Sequence, residues 1–249
     1  MYLDDNNTVF TTLCIGDGRN DDAMGQKMRN RVATQIQSIL KFTHHDVYVI
    51  TDKPDYFGNY YGSRAHFVQF DENLTDLSLL GKQGQFNYNL KMVPSKWTMD
   101  NVQAAVTVYM DCDTFLFGWD RLFYRFFPQD KEGIWARFRH ALNDSAAHNL
   151  ILEKCALMGI DQPNISTRLP VENVMFFKHG PTMQPFFEAW YKYAKLAYEV
   201  GARTDFEGIE MAMAIHATNL DHAHVDNAMP YVDNFRTLHH DSLHLPFII

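Results

Sequence analysis

Short runs of β-branched and aromatic residues alternate along this chain with helical stretches, and that rhythm restricts its fold more than any other feature. The run TVFTTLCI at residues 8–15 reads as a strand closed by GDGRNDD, whose glycine, aspartate and asparagine content marks a loop. Met24, Met28, Val32, Ile36, Ile39 and Leu40 then recur at helical spacing, giving one apolar stripe with Arg29, Arg31 and Gln35 elsewhere on the surface. DVYVITDKP at 46–54 and RAHFVQF at 64–70 read as a second and a third strand. Strand, helix, strand predicts a parallel sheet, because parallel neighbours need a crossover between them.

The remaining segments continue the pattern. Within 79–98, Tyr88, Asn89 and Lys91 are candidates to face a cleft from a helix, and AAVTVYM at 104–110 follows as a strand. EGIWARF at 132–138 predicts a further strand, and AAHNLILEKCALMG at 146–159 a helix that stops at its glycine. VENVMFFKHG at 171–180 reads as strand and turn, 181–201 as a helix opened by Pro181 and closed by Gly201, and 206–219 as a last helix. With 249 residues and no repeat or long linker, the expectation is a single α/β domain, Rossmann-like, with a mixed, mainly parallel central sheet flanked by helices.

Composition narrows the functional classes. No apolar run approaches the roughly 20 residues that cross a bilayer. The opening MYLDDNNTVF carries acids where an export signal needs basic residues. Three cysteines, Cys14, Cys112 and Cys155, leave an odd thiol and no C-x-x-C spacing, which predicts a reducing, cytoplasmic setting. A net charge of −8 argues against a surface that holds nucleic acid by phosphate contacts alone.

In open α/β sheets, ligands bind beyond the carboxyl ends of the strands. Those ends carry Asp17, Asp52, and Asp111 with Asp113 in VTVYMDCDTFLFG at 106–118. Alternate residues of extended backbone point the same way, so Asp111 and Asp113 emerge together. Two like charges in one small region repel unless a cation lies between them, and hard divalent cations favour such oxygen ligands. The structural alternative is a polar strand exit with two solvated acids.

An apolar strand running into D-x-D resembles the GT-A nucleotide-sugar glycosyltransferases, and VYMDCDTFLF is similar to the form found in their glycogenin-like and lipopolysaccharide galactosyltransferase-like retaining family. That family ends in H-[FY]-x-G-x-x-K-P-W, whose histidine is a metal ligand. HHDSLHLPF at 239–247 places His239, Pro246 and Phe247 on the matching positions, with Ser242 for the glycine and Leu245 for the lysine. VENVMFFKHGPTMQPFFEAW is similar to the family's N-S-G-containing strand and helix, with Asn173 in place of the glycine and able to adopt the same positive φ. The resemblance implies that residues 1–118 bind the nucleotide sugar and that 119–249 bind the acceptor and complete the metal site. It implies Mn2+ or Mg2+ on Asp111, Asp113 and His239, and a nucleotide contacted by Thr12, Gly16, Asp17, Asp52, Lys91 and Asp111. Glu172, Asp205, Glu207 and Glu210 share the candidacy for carboxylates near donor and acceptor sugars, beside Asp113. The implied reaction moves a sugar from a nucleoside diphosphate, UDP-linked, to a hydroxyl, with retention; the four further acids keep inversion open.

Competing readings differ in class. Phosphatases of the haloacid dehalogenase type use D-x-D-x-[TV] after a strand, but Phe115 fills the fifth position and three strands precede the motif. A module that binds nucleotide sugars without turnover is a third possibility. For the acceptor, a glycan or glycoconjugate comes first. Residues 119–140, with five Lys or Arg among seven aromatics, keep a hydroxymethylated nucleic acid open.

Overall fold

The computed structural model describes residues 7–16, 23–58, 61–75, 88–119, 132–140, 145–160, 168–202, 207–220, 225–226 and 235–237. Strand β1 (Thr8–Cys14) is followed by α1 (Ala23–Phe42), β2 (Asp46–Thr51) and β3 (Ala65–Gln69). A 3-10 turn at Tyr88–Lys91 runs into α2 (Met92–Asn101), then β4 (Val106–Met110) and the short β5 (Thr114–Leu116). The chain continues with β6 (Gly133–His140), α3 (Ser145–Met158), β7 (Arg168–Lys178), α4 (Met183–Glu199) and α5 (Glu207–Ala217). Two short strands, β8 (Val225–Asp226) and β9 (Phe235–Thr237), follow.

Among the described residues, seven strands form one sheet in the order β3-β2-β1-β4-β7-β6-β8, while β5 and β9 pair separately. Strands β1 to β4 are mutually parallel where they meet, and β7 runs antiparallel between β4 and β6. The architecture is therefore the expected α/β, Rossmann-like one with a mixed, mainly parallel sheet. Strand order proceeds outward from β1 to β3 and then returns to β4 on the other side of β1. The carboxyl ends of β1 and β4 thus flank the switch point, where open sheets leave a crevice.

Side-chain alternation sorts the core into two layers. Phe10 and Cys14 of β1, Val47 and Val49 of β2, and Val106, Val108 and Met110 of β4 face α1, which answers with Val32, Ile36 and Ile39. Leu13, Ile50 and Tyr109 face the other way, toward Leu90 and Met92 and toward Phe186, Phe187 and Trp190 of α4. Burying a side chain such as Phe186 or Phe187 contributes about 1.5–3 kcal/mol each, so α4 is held chiefly by this aromatic face. Glu132 caps α4, accepting the Thr182 backbone N–H at 2.6 Å and the Thr182 hydroxyl. No helix among the described residues is long and apolar enough to cross a membrane.

Gln35 and Arg29 are not surface residues. Both are buried, because position 35 lies on the same arc of α1 as 32, 36 and 39. Asn173 needs no positive φ: it sits within β7, and the non-glycine residue with positive φ among the described ones is Asn219.

Candidate functional site

Asp111 follows directly on β4, at the switch point. Its backbone N–H donates to the Asn173 carbonyl at 2.8 Å, and its own carbonyl accepts the Thr114 N–H at 2.9 Å, closing a tight turn before β5. From beneath, the Gln35 amide of α1 donates to the carbonyls of Asp111 and of Thr114, the latter at 2.8 Å. A buried amide therefore pins the backbone that presents both acids. Ser38, one turn further along α1, accepts the Leu116 N–H at 3.1 Å and holds β5 in the same way. The signal for Gln35 was in the sequence: it is a polar residue inside an apolar stripe, and such residues are buried only with partners.

Alternation along β4 places Asp111 on the α2 side with Tyr109, and Cys112 on the α1 side. Lys91 reaches Asp111 Oδ2 with its ammonium at 2.9 Å, and the Tyr109 hydroxyl donates to Oδ1 at 3.2 Å. Burial, followed by the adjacent Asp111 and Asp113 charges, pushes the Cys112 thiol well above its ordinary range. Burial likewise raises Cys14 to about 12. These thiols stay protonated and act as small apolar groups. Asp111 and Asp113 are both half-buried.

The turn that carries Lys91 is anchored by a buried polar group. Asn89, fully buried, accepts from the Trp190 indole N–H at 2.8 Å. Glu210 accepts from Lys154 at 2.7 Å, with the pair 0% and 1% exposed. This corrects two expectations. Asn89 does not face a cleft, and Glu210 is not a catalytic carboxylate, because the turn of α5 that bears it packs against α3 and α4.

A second correction concerns Thr12. On β1 it alternates with Thr11 and Leu13 and so shares the inner face of Phe10 and Cys14, fully buried, leaving no surface for a nucleotide. Gly16 and Asp52 do meet at the strand ends. The Gly16 N–H donates to Asp52 Oδ2 at 2.9 Å, while Asp52 Oδ1 is buried without a hydrogen-bond partner. A cavity of about 540 Å³ opens beside them, lined by Arg29, Asp52, Lys53, Tyr56 and Gln69 among others. The Arg29 guanidinium lies 5.1 Å from the Tyr56 ring centroid, and the Tyr56 hydroxyl donates to Asn30 at 2.7 Å.

Strand β7 is irregular where it passes the acids. Opposite β6, Ala136 pairs with Met175 and Arg137 with Val171, so residues 172–174 form a bulge. Glu172 lies in it, one residue from the carbonyl that bonds Asp111; Glu207 opens α5. The side chains of Glu172 and Glu207 and all of Asp17, Asp205 and His239 lie outside the described residues. Among the described residues no group of three or more His, Cys, Asp or Glu is placed to hold a metal ion. Even so, β9 pairs Thr237 with Thr114, next to Asp113. His239 is two residues beyond Thr237, a tether of at most about 7 Å between Cα atoms. The carboxylates of Asp111 and Asp113 are oxygen donors of the kind Mn2+ or Mg2+ takes, and an imidazole would complete such a set.

In the aromatic stretch 119–140, the described rings pack inward. Trp119 meets Phe10 at 5.2 Å and His45 at 5.4 Å between ring centroids, and Trp135 is buried in β6. Residues 120–131 and the side chains of Arg137 and Arg139 lie outside the described residues.

No protein-family profile matches this chain, and no curated protein matches it.

Proposed function

We propose that the chain is a metal-dependent glycosyltransferase, moving a sugar from a nucleoside diphosphate sugar, UDP-linked, to a hydroxyl acceptor. The observation that carries this reading is the D-x-D turn at the switch point of the sheet, with β9 pairing next to Asp113. Asp111, Asp113 and His239 would hold Mn2+ or Mg2+, which when bound neutralises negative charge on a departing diphosphate by Lewis-acid action. Gln35 keeps the turn from relaxing when the two carboxylates repel. Asp52, with one oxygen spent on Gly16 and the other unpaired, is suited to accept hydrogen bonds from a nucleoside seated in the adjoining cavity. Lys53 and the Arg29–Tyr56 pair give that cavity two cations, set against the carboxylates of Asp52 and Asp55, and a ring face on which a base can stack.

Positive charge develops at the anomeric carbon as the leaving group departs, as in glycoside hydrolysis. Glu172, next to the Asn173 carbonyl that holds Asp111, is the carboxylate best sited along the chain to stabilise it. Asp205 and Glu207 are the other candidates. With retention, the departing diphosphate takes the acceptor proton and no separate base is required. The acceptor in this reading is a glycan hydroxyl, which suits the net charge of −8 better than a polyanion does.

The test is incubation with a panel of nucleotide sugars and Mn2+, reading released nucleotide. UDP should be released from at least one UDP-sugar, stop with chelator and resume with added Mn2+. Release undiminished by chelator overturns the metal role. Binding of UDP-sugars without release identifies a binding module.

A further inference from the structure

We infer that the Lys91 ammonium is a resident counter-ion of Asp111, which a divalent cation must displace, so that the free chain binds the cation weakly until a diphosphate draws Lys91 away. The inference rests on the metal-dependent reading above and adds a gate built from the chain itself.

Both Asp111 oxygens already have donors: Lys91 Nζ at 2.9 Å on Oδ2 and the Tyr109 hydroxyl at 3.2 Å on Oδ1. The lysine side chain is 8% exposed and the aspartate 23%, so the ammonium approaches from inside and the carboxylate lies nearer the crevice. An ammonium and a divalent cation on one carboxylate repel strongly at such separations, and burial screens them little. One must leave. The backbone of Lys91 is not free to do so, because Asn89 ties the same turn to Trp190. The flexible four-carbon stem can swing its head group away while the turn stays in place. A diphosphate beside the cation offers the ammonium strong acceptors at that moment. In the free chain, the same ammonium relieves the repulsion between Asp111 and Asp113 that the turn otherwise bears. Cation and diphosphate then bind with positive coupling, and each raises the affinity for the other.

The test is Mn2+ binding to the full chain without nucleotide, read by electron paramagnetic resonance. Lys91→Met should bind Mn2+ at least about tenfold tighter than wild type, because no hydrogen-bonded ion pair is broken. Lys91→Arg, which keeps the charge and the donor, should bind as wild type does, and so should Lys96→Met one turn and more along α2. Equal or weaker binding by Lys91→Met overturns the inference. If that variant does not fold, a structure of wild type with Mg2+ and UDP decides: separation of Lys91 Nζ from Asp111 supports the gate, and a retained bond overturns it. Mn2+-supported UDP binding by wild type with no gain in Lys91→Met defeats the gate alone. Absence of Mn2+-supported UDP binding in every variant defeats the metal-dependent reading and the gate with it.

Discussion

Asp113 sits one residue before β5, on a turn whose backbone bonds are made by Thr114, Asn173 and Gln35, and a change from carboxylate to amide leaves all of those bonds in place. Asp113→Asn is therefore expected to keep the thermal midpoint of wild type while lowering nucleotide release at least about 100-fold, the scale of losing one charge-stabilising group. A matching loss of folded protein, measured by calorimetry on the same sample, would assign the residue to structure instead. Gly16 gives a separate test of the nucleoside cavity. A Cβ there would meet Asp52 Oδ2 at 3.1 Å, close enough that the carboxylate must shift by a few tenths of an ångström. Gly16→Ala should weaken UDP binding about tenfold in titration calorimetry while changing stability by less than about 1 kcal/mol. Unchanged binding would remove Asp52 from the donor site. Legibility at this scale was uneven. Asp111 and Asp113 stand out because two acids directly behind an apolar run demand a reason. Lys91 stood out as a candidate, but its bond to Asp111 was not legible, since 20 positions separate it from the partner that the fold gives it.

Elements show where periodicity carries information and where it fails. The stripe of α1 is legible because it faces a single apolar layer, and the β-branched runs of β1, β2 and β4 because apolar layers cover both of their faces. Helix α2 is not, as it buries Met92, Val93, Pro94, Ser95 and Thr98, polar and apolar alike, and so shows no stripe. Strands β5 and β9 have three residues each, too few for any alternation to register. The packing of α3 and α5 around Lys154 and Glu210 supplies a prediction. Burial holds Glu210 above the ordinary carboxylate range, and Lys154 offsets part of that shift. Lys154→Met strips the offset and leaves a buried carboxyl without its cation, at a cost of about 3–5 kcal/mol near neutral pH. The folded-state pKa of Glu210 then lies further above its unfolded value of 4.5, so the folded state binds the proton more tightly than the unfolded one. The deficit should shrink as pH falls toward 4.5 and grow as pH rises. Lys154→Met combined with Glu210→Leu should recover most of the loss. Chemical denaturation of the two variants across pH checks both statements, and a pH-independent deficit would mean that Glu210 is not the source.

For the whole molecule, charge bears on the acceptor. A chain of net charge −8 that binds a nucleic acid needs a local basic groove, and each phosphate contact in it releases counterions and makes binding fall steeply with salt. With Trp135 buried and Trp119 partly buried against Phe10 and His45, the expected result with hydroxymethylated DNA is no gel shift at low or moderate salt. A salt-sensitive shift lost in Arg137→Ala with Arg139→Ala would make DNA the acceptor. The amino-acid sequence by itself determined the α/β class, the parallel β1 to β4 half and the exit of Asp111 and Asp113 from β4, because these follow from local periodicity and from crossover rules acting on neighbours in the chain. It did not determine the antiparallel insertion of β7 between β4 and β6, the bond from the Asp111 N–H to the Asn173 carbonyl, or the pairing of β9 with β5. Nor did it separate Glu210, buried on Lys154, from acids at the chain's strand and helix ends. Each of these depends on partners 28 or more residues away, and only packing of the folded chain decides which distant groups share a low-dielectric interior and which meet at the crevice.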